Sequence, residues 1–193
     1  MDRAESTALL EQARRGSPEA LDRLYERVAP RLLAIIRLRL GADLRARLES
    51  RDILQATLLK SFQHIDRFGG EDGASLMAWL ARIAEREILD QADYLHRGRR
   101  DVARELPLDA GLHRAAAHMR SALSQAALTQ EVGRLLQAIE TLEPDYREVI
   151  LLRKLEERSF REVAARLGRS EDACRMLLVR AMAALTLALH GTD

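Results

Sequence analysis

The sequence predicts an all-α protein, and three observations carry that expectation. Proline and glycine are sparse, 4 and 10 of 193 residues, among many Leu, Ala, Arg and Glu, which lose little freedom in a helix. Apolar residues recur at three- and four-residue spacing in segment after segment. No stretch alternates apolar and polar residues as a half-buried strand would.

In chain order, a first helical block runs from about Ser6 to His96. Gly16-Ser17-Pro18 supplies a break, an N-cap and a proline at the first helical position. Leu21, Leu24, Tyr25, Val28, Leu32, Ile35 and Ile36 then share one face, with Pro30 expected to kink or divide the helix and Gly41 to end it. Ser50 is expected to cap the next helix, with Ile53, Leu54, Thr57, Leu58, Phe62 and Ile65 inward. After a loop of Gly69-Gly-Glu-Asp-Gly-Ala, Ser75 caps a long helix bearing Leu76, Trp79, Leu80, Ile83 and Ile88.

Between Arg97 and Thr129 the periodicity weakens, and the stretch reads as a linker. It opens on the basic cluster Arg97-Gly-Arg-Arg and breaks at Glu105-Leu-Pro-Leu-Asp. The expected organisation is two small helical domains, 1–96 and 130–193, joined by 97–129. The second block has one helix from Gln130 through Leu142, a turn at Glu143-Pro144-Asp145 and a helix from Tyr146 to Leu155.

The sharpest pattern follows, from Ser159 to Arg180. Ser159 can cap a helix presenting Phe160, Val163, Ala164 and Leu167, and Gly168 accepts the left-handed conformation that stops it. Ser170 can cap a second helix with Cys174, Leu177, Leu178, Ala181 and Leu185 inward. Small Ala164 falls where the two helices cross. This is the layout of a helix-turn-helix, whose second helix enters a DNA major groove, though a plain αα-corner in a bundle has the same outline.

Composition narrows the function classes. The formal net charge of +1 does not announce a strong solitary nucleic-acid binder, so DNA contact must come from local patches or from a larger complex. The single Cys174 excludes an intrachain disulfide and a cysteine-rich zinc site. The N-terminus lacks a signal-peptide layout, and no apolar run approaches the ~20 residues of a membrane span, so a cytoplasmic location without membrane insertion is expected. There is no glycine-rich phosphate loop and no Cys/His metal spacing, so no catalytic residue, metal or cofactor is expected.

Two motif blocks resemble one family. Leu142-Glu-Pro-Asp-Tyr-Arg-Glu-Val-Ile-Leu-Leu-Arg-Lys-Leu-Glu-Glu-Arg-Ser-Phe-Arg-Glu-Val-Ala is similar to the region-four run of bacterial sigma factors, in the extracytoplasmic-function branch of the sigma-70 superfamily. Arg51-Asp-Ile-Leu-Gln-Ala-Thr-Leu-Leu-Lys-Ser-Phe, and Ala78-Trp-Leu-Ala-Arg-Ile-Ala followed by Asp90, resemble region two of the same branch.

The resemblance implies a transcription initiation factor that binds RNA polymerase core, directs it to promoters and assists melting. It places Asp52 and Gln55 against the beta-prime clamp helices and the second block against the beta flap. It makes Arg82, Arg86, Arg97, Arg99 and Arg100 cations for the minus-ten strand, whose flipped base would meet the loop around Arg67 to Ala74. It turns Arg169, Ser170, Glu171, Asp172, Arg175, Met176 and Val179 toward the minus-thirty-five element. Glu171 and Asp172 also suit a helix N-terminus without any ligand. Where family members commonly carry further basic residues, this chain has Ala173-Cys-Arg-Met-Leu-Leu-Val-Arg-Ala-Met182, so weak intrinsic DNA affinity is expected. An anti-sigma factor is an admissible partner. The readings from other classes are a polymerase-independent helix-turn-helix regulator and a protein-interaction adaptor.

Overall fold

The computed structural model describes residues 3–68, 75–96 and 130–190; the expected linker over 97–129, with Arg97, Arg99 and Arg100, lies outside them. The described residues contain helices and turns and no strand. The chain divides into two compact units, Met1–Gly69 with Leu80–Ala127, and Gly70–Trp79 with Leu128–Asp193.

The first unit is built on α1 (Arg3–Arg14), α2 (Pro18–Arg45), α3 (Ser50–Gln63) with a 3-10 turn at Ile65–Arg67, and the part of α4 (Leu76–His96) from Leu80 onward. The Ser17 hydroxyl accepts from the Ala20 amide at 3.2 Å and Pro18 occupies the first turn, which is why α2 starts where it does. α2 packs on both α1 and α3 and carries the core of the unit, with Leu24, Val28, Leu32, Ile35 and Ile36 fully enclosed. From α3, Ile53, Leu54, Thr57 and Leu58 meet them, while Phe62 is only half-buried.

Polar ties fix the packing. Tyr25 Oη donates to the Leu58 carbonyl at 3.1 Å and lies 3.1 Å from Ser61 Oγ. Burial pushes the Tyr25 phenol far above its ordinary pKa, and the hydrogen bond to Ser61 opposes this. Arg27 pairs with Glu5 at 2.6 Å between α2 and α1, and the Lys60 ammonium pairs with the nearly buried Glu87 between α3 and α4.

Two local expectations are corrected. Ser50 does not cap α3: the Glu49 carbonyl already accepts from the Asp52 and Ile53 amides at 3.0 and 3.3 Å, so the helix starts ahead of the serine. Pro30 does not divide α2: the helix runs through it with helical dihedral angles. The departure from helical dihedral angles falls at Gly41, with φ 63° and ψ 177°, a conformation that glycine adopts without a Cβ clash.

The second unit contains α5 (Gln130–Glu140), α6 (Pro144–Ile150) running into a π-helical turn at Leu151–Leu155, α7 (Phe160–Leu167) and α8 (Glu171–His190). α5, α6 and α7 all pack on α8. The core gathers Leu136, Ile139, Val149, Ile150, Leu151, Leu152, Val163, Cys174 and Ala181. The π turn was not anticipated: the Glu156 amide reaches back to the Leu151 carbonyl at 2.9 Å, and Glu157 takes a φ of 57°. Against the expectation that no run is long enough to span a membrane, α8 is long and apolar enough by length and composition alone. It also carries Glu171, Asp172, Arg175 and Arg180 and buries one face in the unit, as the packed second helix of a helix-turn-helix does.

Replacing Tyr25 by Phe removes the donor to Leu58 while keeping the ring in the core. Urea unfolding should then show a loss of about 1 kcal/mol with an unchanged denaturant slope.

Candidate nucleic-acid interface

The helix-turn-helix is assembled by short-range chemistry. The Ser159 hydroxyl accepts from the Glu162 amide at 3.2 Å, and the Glu162 carboxylate accepts from the Ser159 amide at 2.8 Å, a reciprocal capping box. Gly168 ends α7 in the left-handed conformation, φ 64° and ψ 33°, and the Arg169 amide closes the turn on the Ala164 carbonyl at 3.1 Å. Ser170 Oγ accepts from the Ala173 amide at 3.2 Å and starts α8. Cys174, Leu177, Ala181 and Leu185 face inward, with Cys174 and Val163 fully enclosed. That leaves Arg169, Ser170, Glu171, Asp172, Arg175, Met176 and Val179 exposed together on the outer side.

The charges on that face are engaged locally. Arg175 Nη1 donates to Asp172 Oδ1 at 2.7 Å and Nη2 to Glu171 Oε2 at 3.1 Å. The same guanidinium lies 4.8 Å from the centre of the Phe160 ring, and Arg153 lies 4.7 Å from it. Arg169 pairs with Asp145 at the start of α6. Behind the face, Arg158 Nε donates to Glu156 Oε2 at 2.5 Å, and both residues are buried. The Arg153 guanidinium donates to the Arg158 carbonyl at 2.9 Å.

Sequence reasoning placed the outward residues of α8 but missed what holds them. The Glu171–Arg175 and Asp172–Arg175 pairs have the spacings at which helix neighbours meet, so that signal was readable. The stack of Arg175 on Phe160 is tertiary, and although Glu156 and Arg158 are only two residues apart, the charged run Arg153-Lys-Leu-Glu-Glu-Arg gives no local sign that their pair is buried.

On the first unit, Arg82 and Arg86 are exposed one turn apart on α4. Trp79 is half-buried. Asp52 is exposed in the first turn of α3, and Gln55, three residues on, is half-buried on the same side. Arg82, Arg86, Asp52 and Gln55 belong to the first unit and the α8 face to the second. Of the loop from Arg67 to Ala74, only the Phe68 side chain is described; it is buried, with the Arg14 guanidinium over its ring. Among the described residues, no group of three His, Cys, Asp or Glu side chains could hold a metal ion.

A capped helix-turn-helix with an outward polar face, among described residues that are helix and turn throughout, has the layout of the helix-turn-helix class of DNA-binding proteins. Residues 24–100 match the family described as Sigma-70 region 2, and residues 133–185 match Sigma-70, region 4. The ECF RNA polymerase sigma factor BldN of Streptomyces coelicolor is 30% identical over 186 residues, covering 95% of this chain and 66% of BldN. The RNA polymerase sigma factor CarQ of Myxococcus xanthus is 30% identical over 167 residues, covering 86% of this chain and 87% of CarQ. CnrH, solved in complex with the cytosolic domain of CnrY, is 25% identical with a TM-score of 0.53, over 98% of this chain and 99% of CnrH. The chain belongs to the sigma-70 family of RNA polymerase sigma factors, in its ECF branch.

The Arg175 cluster carries a charge of −1, from one guanidinium and two carboxylates. Glu171→Gln with Asp172→Asn changes this to +1 and releases the guanidinium. Fluorescence anisotropy on duplex DNA should then show tighter binding by the chain alone, with the log–log salt slope steeper by about one.

Proposed function

We propose that this chain is a two-module promoter-recognition subunit that reads DNA effectively only when joined to RNA polymerase core. The observation that carries the reading is the order of two family regions in one chain, region 2 before a region 4 that folds as a capped helix-turn-helix. The modules are 1–96 and 130–193, with 97–129 as the tether. In this reading Asp52 and Gln55 meet the beta-prime clamp helices, and the region 4 module meets the beta flap. Arg82, Arg86, Arg97, Arg99 and Arg100 follow the displaced minus-ten strand, and the loop from Arg67 to Ala74 receives a flipped base. The outer face of α8, from Arg169 to Val179, enters the groove at the minus-thirty-five element.

Physical economy supports that division of labour. The net charge of +1 and the local neutralisation of Arg169 and Arg175 leave the chain little affinity of its own for phosphates. Two weak readers on one tether, both held by a large partner, gain specificity through effective concentration. The chain performs no covalent chemistry and works in the cytoplasm, where the polymerase is. CnrH, similar over nearly its whole length, was solved with the cytosolic domain of CnrY, which favours an anti-sigma partner for this chain as well.

Purified bacterial core polymerase should retain the wild-type chain in a pull-down. The double variant Asp52→Arg/Gln55→Ala should lose that binding by tenfold or more, because reversing one interface charge that faces a partner costs at least ~1.4 kcal/mol. Both altered residues lie outside the core, so the variant should stay folded, with circular dichroism melting lowered only by the about 1 kcal/mol that a reversed charge in the first turn of α3 costs. Equal retention of wild type and variant, or no retention of wild type, would contradict the reading.

A further inference from the structure

The outward face of α8 holds an apolar pair that its charges leave uncovered. Met176 and Val179 are 55% and 62% exposed, one turn apart on the second and third turns of the helix. Isolated exposed apolar residues need no explanation. These two, however, stand where a helix-turn-helix presents its base-reading residues. Beside them Arg175, the usual choice for a guanine edge, has its guanidinium held by Asp172, Glu171 and the Phe160 ring. The two carboxylates of that cluster are held by the same guanidinium, and the acceptor-lined edge of guanine would repel them.

The major-groove edge of duplex DNA offers one apolar feature, the thymine C5-methyl group. Three residues along a helix advance it by about 4.5 Å, comparable with the step between adjacent base pairs. We propose that Met176 and Val179 set promoter specificity by packing on thymine methyl groups at neighbouring base pairs of the minus-thirty-five element, in place of a guanine contact from Arg175. This rests on the reading of α8 as the helix that enters the groove. Arg175 is then a positioning residue. Tied to its two acids and stacked on Phe160, it fixes the first turns of α8 on α7, and so fixes the height at which Met176 and Val179 meet the bases.

Replacing thymine by deoxyuridine removes only the methyl group and keeps every hydrogen-bonding edge. Polymerase reconstituted from bacterial core and the full chain would first select its best site from promoter-length duplexes randomised at the minus-thirty-five element. The selected site would then be remade with deoxyuridine in that element, or outside it as a control. Wild-type holoenzyme should lose affinity by about fourfold for each contacted methyl, and nothing for uracil placed outside. Met176→Gln/Val179→Ser, altered only at exposed positions, should bind core normally and bring the thymine-to-uracil ratio near one. Equal binding of thymine and uracil by wild type would overturn the proposal, as would an unchanged ratio in the variant. Failure of the chain to bind core at all would instead remove the sigma reading, and the proposal with it.

Discussion

α5, α6 and α7 all close on α8, and α8 must at the same time show its other side to solvent. That double demand governs the second unit. Cys174, Leu177, Ala181 and Leu185 hold one face in the core, and Cys174 is fully enclosed, as is Val163 of α7. At eight residues, α7 is too short to persist alone, because nucleating a helix costs more than a few turns return. It exists because its capping box supplies the start, Gly168 supplies the stop, and α8 supplies the surface on which Val163 is buried. The helix that the proposed function places in the groove is thus also the helix on which its own module folds.

The same economy shows in the charges. A solitary DNA-binding domain gains affinity by leaving arginines and lysines free to displace counterions. Here the arginines at the head of α8 are spent inside the module: Arg169 on Asp145, and Arg175 on Glu171, Asp172 and Phe160. Exposed pairs of this kind contribute little stability each, but together with the ring they hold the outward face in one geometry. A rigid, nearly neutral reading face suits a subunit whose placement over DNA is supplied by a large partner, and it matches the family to which the chain belongs.

Much of this was legible in the sequence, for local reasons. Caps are decided by a residue and its neighbours three positions on, so Ser17, Ser159, Ser170 and Gly168 could be read directly. The inward faces of α2, α3 and α8 followed from periodicity, because one buried stripe per helix is what a small bundle needs. What was not legible is either a choice between local alternatives or a matter of burial. α2 runs on past Pro30, and the early acceptor at Glu49 displaces the expected cap at Ser50. The π turn and the positive φ of Glu157 break the helical pattern without a glycine to mark the place, and the burial of the Glu156–Arg158 pair is something a charged run cannot announce. In the candidate site, the exposure of Ser170, Glu171, Asp172, Arg175, Met176 and Val179 could be read from the wheel of α8, whereas the capture of Arg175 by Phe160 could not.

Promoter-directed initiation by core polymerase carrying this chain is the central claim, and run-off transcription tests it most directly. Core polymerase would be given a library of bacterial promoter fragments with and without the full chain. Discrete transcripts that need the chain, and whose start sites share two upstream elements at constant spacing, are the result this account requires. Core binding without any chain-dependent start, or sequence-specific DNA protection by the chain alone that core does not improve, would contradict it.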